Sequence, residues 1–217
     1  MSKKRINIVA GGPIQHIPNL TLMDDENTLW VGVDRGVYYL LKHNINPTIA
    51  IGDFDSVSAE EWKIIQQSVN ELDIHQPEKD ETDMELALIW ATSQAPASIK
   101  IFGATGGRLD HFLANAFMLV KYQQPHSDPI EIIDLQNELA IFYPGKHQIY
   151  WDKNKKYVSF IPLSMEVNSL SLSGFKYPLI DQNIDFTSSL CISNELIQKT
   201  GTFSFEKGIL MMIRSND

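Results

Sequence analysis

The chain has 217 residues, enough for one large domain or two modest ones, and its 43% hydrophobic and 21% charged content is that of an ordinary globular protein. With 18 Lys+Arg against 27 Asp+Glu it carries a net charge of −9, so it lacks the basic footprint of a nucleic-acid binder. No stretch reaches the roughly 20 apolar residues of a membrane span, and the single Cys191 can form no internal disulfide; the expectation is a cytoplasmic protein with neither nucleic-acid nor membrane partners.

In chain order, "INIVAGG" (Ile6–Gly12), "TLWVGVD" (Thr28–Asp34), "PTIAIGD" (Pro47–Asp53), "LDIHQP" (Leu72–Pro77) and "SIKIFGA" (Ser98–Ala104) are short and β-branched, with apolar residues on both faces. Strands of a parallel sheet covered by helices have this composition. Helices are predicted between them. "VSAEEWKIIQQSV" carries a capping box, Ser58 as N-cap and Glu61 three residues on. "ETDMELALIWA" repeats the device with Thr82 and Glu85. "RLDHFLANAFMLVKY" sets Leu109, Phe112, Leu113, Ala116, Phe117 and Val120 along one helical face. After Pro125 the helices stop, and "IEIIDLQNELAIFYPG", "HQIYWD", "YVSFIPLS", "SLSLSGFKYPL", "TGTFSFEKG" and "ILMMIRS" read as short strands. The expected fold is therefore α/β: an N-terminal doubly wound, mainly parallel sheet over residues 1–144, then a C-terminal all-β, sandwich-like domain over 145–217.

Ligands of a doubly wound sheet bind beyond the carboxyl ends of its strands, and three unusual segments are predicted there. In "GDFDS", alternation in an extended chain would put Asp53 and Asp55 on one side and turn Phe54 away, while Gly52 removes a side chain where a ligand approaches. In "EKDETD", Thr82 caps a helix, Asp83 lies in its first turn and Asp80 just ahead of it. Either segment alone is ordinary helix-start chemistry. Together they gather carboxylates that would repel one another without a cation, and oxygen-only donors suit Mg²⁺. The third, "GATGGRLDH" (Gly103–His111), lacks the Lys-Ser/Thr ending of a Walker A loop and does not fit GxGxxG. Its free N–H groups at a helix start and its Arg108 nevertheless form an anion cradle. Clustered acids and a phosphate cradle point to a Mg²⁺-dependent enzyme handling a nucleoside triphosphate. Spacing does not name the acceptor.

"GDFDS", "KDETDMELAL" and "GATGGRLDH", in this order, resemble the bacterial form of the thiamine pyrophosphokinase family. "VAGGP", "VDRG", "SGFKYPL" and "SNEL" fit more loosely, with Arg35 and Phe175 departing from the usual Gly and Leu. The resemblance implies transfer of the diphosphate of ATP to the hydroxyl of thiamine, giving thiamine diphosphate and AMP. It implies that Asp53, Asp55, Asp80 and Asp83 hold Mg²⁺, with Asp110 helping in the same cluster. It assigns ATP to Asp34, Gly106, Gly107, Arg108 and Asp110, and thiamine to Ser193 and Asn194. It also implies a homodimer whose β module helps to build the partner's acceptor site. Rival readings are a pyrophosphokinase acting on a hydroxymethylpterin and a non-catalytic nucleotide-sensing module.

Overall fold

The computed structural model describes residues 3–74, 80–125 and 127–217, which form two compact units. The first is Met1–Tyr122 with Ile130–Leu135; the second is Gln123–Pro129 with Gln136–Asp217. No described helix is long and apolar enough to cross a membrane.

The first unit runs β1 (Arg5–Val9), two 3₁₀ turns (Ile14–His16 and Leu20–Met23), β2 (Thr28–Val33), α1 (Arg35–Lys42), β3 (Ile49–Gly52), α2 (Ala59–Ser68), β4 (Leu72–Ile74), α3 (Asp83–Ser93), β5 (Ser98–Phe102), α4 (Leu109–Tyr122) and β6 (Ile130–Ile133). Its strands lie in the order β6-β5-β1-β2-β3-β4, and every pairing is parallel. Ile6, Ile8, Val31, Ile49, Ile51, Ile99 and Ile101 are buried, each contributing about 1.5–3 kcal/mol over leaving it exposed. The chain builds β1 to β4 outward on one side, then returns to lay β5 and β6 on the other. The gap between β1 and β5 is thus a topological switch point, where the two loops diverge and leave a crevice.

The helix starts follow the sequence in detail. Ser58 Oγ accepts from the Glu61 N–H (3.2 Å) and Glu61 Oε2 accepts from the Ser58 N–H (2.9 Å), closing the capping box of α2. Thr82 Oγ1 likewise accepts from the Glu85 N–H (3.2 Å), but the expected return arm from Glu85 is replaced. The Glu85 carboxylate accepts instead from Lys121 Nζ and the Tyr122 hydroxyl on α4, both at 2.8 Å. A cation and a hydroxyl together outcompete one backbone N–H.

One expectation needs revision. The face of α4 is rotated: Ala116 and Leu119 are buried, whereas Leu109, Leu113 and Phe117 are 76%, 48% and 50% exposed. The helix packs inward through Ala116 and Leu119, and Lys121 and Tyr122 bond Glu85 on α3. Ile130–Ile133, a short strand within the expected 1–144 domain, pairs in parallel with Ile99–Phe102. The strand expected over Leu72–Pro77 ends, as described, at Ile74; residues 75–79 lie outside the described residues.

The second unit is all-β: β7 (Asn137–Phe142), β8 (Gly145–Tyr150), β9 (Tyr157–Pro162), β10 (Glu166–Ser173), β11 (Leu179–Asp185), β12 (Asn194–Glu195), β13 (Thr200–Phe205) and β14 (Leu210–Ser215). Antiparallel sheets in the orders β12-β9-β14-β7 and β11-β10-β13-β8 enclose a core of Phe160, Phe175, Phe203, Leu170, Leu172 and Leu210. Phe160 meets Phe203 at 4.8 Å and Phe175 at 5.7 Å, so Phe175, the departure in "SGFKYPL", fills core volume. The division expected at Pro144–Gly145 falls inside this unit, because β7 pairs with β14 along its whole length.

Candidate active site

A cleft of about 590 Å³ opens in the first unit beyond the carboxyl ends of the strands, within the usual range for a small-ligand site. Its walls follow the strand order. The loop after β5 brings Gly103–Thr105, Gly107 and Arg108, and the loop after β1 brings Ala10–Pro13. Next along the edge come Asp34 after β2, Asp53 and Asp55 after β3, and Asp83 at the start of α3. One end of the cleft is therefore glycine and N–H, the other carboxylate.

The glycine end depends on close backbone approach. A Cβ on Gly12 would lie 2.3 Å from the Gly103 carbonyl oxygen, and one on Gly103 would lie 2.3 Å from the Ala10 carbonyl oxygen. The Gly12 N–H donates to that same Gly103 carbonyl at 2.9 Å, so the two loops cross main chain to main chain. Nothing larger than hydrogen fits between them.

At the other end, Asp34, Asp53 and Asp83 each bring a carboxylate oxygen within 4.8 Å of the other two. Asp34 has φ 49° and ψ −123°, a backbone conformation that L-residues rarely adopt and that surrounding structure must impose. It stands at the N-cap of α1 without capping it, leaving its carboxylate to face the cleft. Its Oδ1 is buried with no hydrogen-bond partner. Burial first, then the charge of Asp83, push this carboxyl up to about 6, with the Phe54 backbone N–H partly offsetting the rise. Gly52 makes room for this group, since a Cβ there would sit 2.1 Å from Asp34 Oδ1. An orphaned carboxylate oxygen converging with two further carboxylates fits a hard divalent cation, and the donor set is all oxygen.

The other predicted residues fall around this pair of poles. Phe54 does turn away, buried against Trp62 at 4.8 Å, but through a φ of 59° that breaks the expected extension. Asp55 consequently lines the cleft without joining the three-carboxylate group; its N–H donates to Asp53 Oδ1 at 3.0 Å. Asp80 is exposed and outside both the lining and the cluster. Asp110 also lies outside the cluster: its carboxylate holds Arg108 in a two-point pair, Nη2–Oδ2 2.6 Å and Nε–Oδ1 3.1 Å. The guanidinium beside it lowers the Asp110 carboxyl to about 2. Both side chains are well exposed, so the pair contributes little to stability. Gly106 and Gly107 form the exposed turn ahead of α4. Arg35 faces α2 rather than the cleft, its Nη2 on Glu61 Oε1 at 2.7 Å.

Family models match both parts of the chain: thiamin pyrophosphokinase, catalytic domain, over residues 20–132, and thiamin pyrophosphokinase, vitamin B1 binding domain, over residues 146–210. The chain is 52% identical to the thiamine pyrophosphokinase of Bacillus subtilis (strain 168), over 99% of its own length and all of that relative. The chain belongs to the thiamine pyrophosphokinase family.

Solved structures of this family share the fold. A thiamine pyrophosphokinase from Bacillus subtilis superposes with a TM-score of 0.92 at 52% identity, covering 99% of this chain and 100% of that one. One from Geobacillus thermodenitrificans gives 0.91 at 51% identity, covering 98% of each. In the second unit, which carries the vitamin B1 binding match of the thiamine pyrophosphokinase family, Ser193 is exposed at φ 56°, its N–H donating to Ser159 Oγ at 2.9 Å. Asn194 beside it is only 2% exposed and its amide is committed. Oδ1 accepts from the Tyr177 and Glu195 N–H groups (3.0 and 2.9 Å), and Nδ2 donates to the Tyr177 carbonyl at 2.8 Å. Asn194 therefore braces the Tyr177 backbone, and of this predicted pair Ser193 alone offers an exposed side chain.

Proposed function

We propose that this chain, as a member of the thiamine pyrophosphokinase family, transfers the diphosphate of ATP to thiamine with Mg²⁺ as cofactor. The thiamine hydroxyl oxygen bonds to the β-phosphorus, the bond from that phosphorus to the oxygen bridging the α-phosphate breaks, and AMP leaves with the electron pair. The hydroxyl proton passes to solvent or to a cleft carboxylate. The observation carrying this reading is the cleft with a glycine-rich loop and Arg108 at one end and converging carboxylates at the other.

Asp34, Asp53 and Asp83 would hold the cation, with Asp55 at the cleft wall beside them. Bound there, Mg²⁺ would neutralise charge on the phosphate oxygens, the main requirement of phosphoryl transfer. The backbone N–H groups of Gly106 and Gly107 would take phosphate oxygens at the start of α4. Arg108 would exchange Asp110 for phosphate, giving Asp110 the role of presenting the guanidinium. Asp80, ahead of α3, would act from the outside through its charge. Ser193 would reach thiamine, with Asn194 holding the adjoining backbone.

A homodimer in the cytoplasm, where ATP is supplied, completes the reading. Apolar surface supports the dimer: Leu109, Leu113 and Phe117 on α4, and Leu190, Ile192 and Ile197 around Ser193, are exposed. Two-fold pairing would cover such surface. If the sites are shared between protomers, a Ser193→Trp protein mixed with an Asp53→Ala protein regains activity after subunit exchange.

The deciding experiment incubates the protein with ATP, Mg²⁺ and thiamine and separates the nucleotides. AMP appearing in step with thiamine diphosphate supports the reading. ADP with thiamine monophosphate overturns it, and transfer to a hydroxymethylpterin in place of thiamine overturns the acceptor.

A further inference from the structure

The loop after β5 is held from below by a residue 29 positions away in sequence. Thr105 Oγ1 donates to Asp134 Oδ2 at 2.7 Å, and Asp134 is only 7% exposed. Asp134 directly follows β6, which pairs with β5 in parallel register, Phe102 opposite Ile133. The two loops therefore leave neighbouring strands at the same edge, which brings the side chains together.

The next residue makes a second tie. The Leu135 N–H donates to the His16 carbonyl oxygen at 3.0 Å. The His16 ring in turn lies against Gly106, where a Cβ would come within 2.5 Å of the ring. Gly106 has φ +76°, a left-handed conformation that places the following N–H groups and needs external support in any other residue. Asp134–Leu135 thus braces the glycine turn at two consecutive points, through Thr105 and through His16.

We infer that Thr105 and Asp134 form a latch that sets the phosphate loop, and that both are positioning residues for nucleotide binding. This rests on the proposed assignment of the loop to ATP phosphates. The chemistry of the hydroxyl decides the role. A threonine hydroxyl carries one proton, and here a buried carboxylate takes it in a charge-assisted hydrogen bond. Thr105 lines the cleft yet has no proton left for a phosphate oxygen. Its contribution is to fix the loop, so that the N–H groups after it and Arg108 meet the anion. Burying a carboxylate close to an anion site is unfavourable in itself, which argues against Asp134 as incidental packing.

The test measures KM for ATP and for thiamine separately, with titration calorimetry of α,β-methylene-ATP as a second readout. Thr105→Val keeps shape and removes the proton; it should raise the ATP KM about tenfold, the size of one lost charge-assisted hydrogen bond, with the thiamine KM within about twofold. Thr105→Ser restores the hydroxyl and should return the ATP KM to within about threefold of the parent. An unchanged ATP KM in Thr105→Val, or a rise in which Thr105→Ser is no better than Thr105→Val, overturns the latch. Should Thr105→Val fail to fold, Thr105→Ala decides, because it also removes the hydroxyl without burying a branched side chain: a selective rise in ATP KM supports the latch and no rise overturns it. Arg108→Ala separates the two levels. If it raises the ATP KM while Thr105→Val does not, the latch alone fails; if neither changes it, the assignment of the loop fails and the latch with it.

Discussion

Replacing Asp34 by Asn measures how far the cleft is held in tension for a cation. The Asp34 carboxyl is pushed up to about 6 from 3.8 by burial and by Asp83, so ionising it in the folded protein is unfavourable. Because the folded value is raised, the cost is absent below pH 3.8, grows as pH rises, and is complete above about 6. The full difference corresponds to about 3 kcal/mol; the group is only half-buried, and solvent screening reduces this to about 1–2 kcal/mol. Asn has nearly the same shape and no charge. In excess EDTA near pH 7.5, Asp34→Asn should therefore melt about 3–6 °C above the parent, given the unfolding entropy of a chain this size. Near pH 4.5 the gain should shrink by more than half, since both proteins then carry a mostly neutral group. Added Mg²⁺ should raise the melting temperature of the parent and not that of the variant. A variant no more stable than the parent in EDTA, or equally stabilised at both pH values, would refute the reasoning.

Other substitutions probe single contacts. Asp83→Ala should leave the fold intact while lowering kcat by at least about a hundredfold with little change in thiamine KM, because charge neutralisation is lost in the transition state; steady-state kinetics beside a thermal melt tests this. Glu61→Ala removes both the return arm of the α2 capping box and the partner of Arg35, and should cost about 1–2 kcal/mol in urea unfolding. Asn194→Ala leaves the Tyr177 N–H and carbonyl without their side-chain partner, so a loss of about 2–3 kcal/mol is expected; a loss below half of that would place the bracing elsewhere.

The elements legible in the sequence are those set by local physics. Ser58 and Glu61 meet within one helical turn, so their capping box needs no tertiary information. The glycine loop after "SIKIF" announces itself by composition alone. Asp34 was legible in principle: it follows an apolar run just as Asp53 does, and strands side by side in a parallel sheet bring such residues together. The place of Asp55 is less legible, because alternation assumes an extended chain and the positive φ of Phe54 interrupts it. Asn194 is assigned to thiamine by the resemblance alone, and its bracing role escapes local pattern because its partner, the Tyr177 backbone, is 17 residues away. Hydrophobic spacing on α4 finds an apolar stripe without showing whether it faces the protein's own core: Ala116 and Leu119 turn inward, while Leu109, Leu113 and Phe117 stay exposed.

The crossing of Gly12 over Gly103 bears on the genetics of this chain. A second-site suppressor works by trimming the group that an intruding side chain strikes. At Gly12 the struck group is the Gly103 carbonyl oxygen, 2.3 Å from a would-be Cβ, and every amino acid carries that carbonyl. No replacement at position 103 can make room, so an inactivating allele at position 12 has no side-chain suppressor there. Gly201 differs: its would-be Cβ strikes Leu196 Cδ2 at 2.2 Å and Phe175 Cε2 at 3.0 Å, both side chains. A smaller residue at 196 can admit a larger one at 201. In a doubly randomised library under selection for thiamine diphosphate, positions 196 and 201 should covary, whereas 12 and 103 should return glycine independently in every survivor.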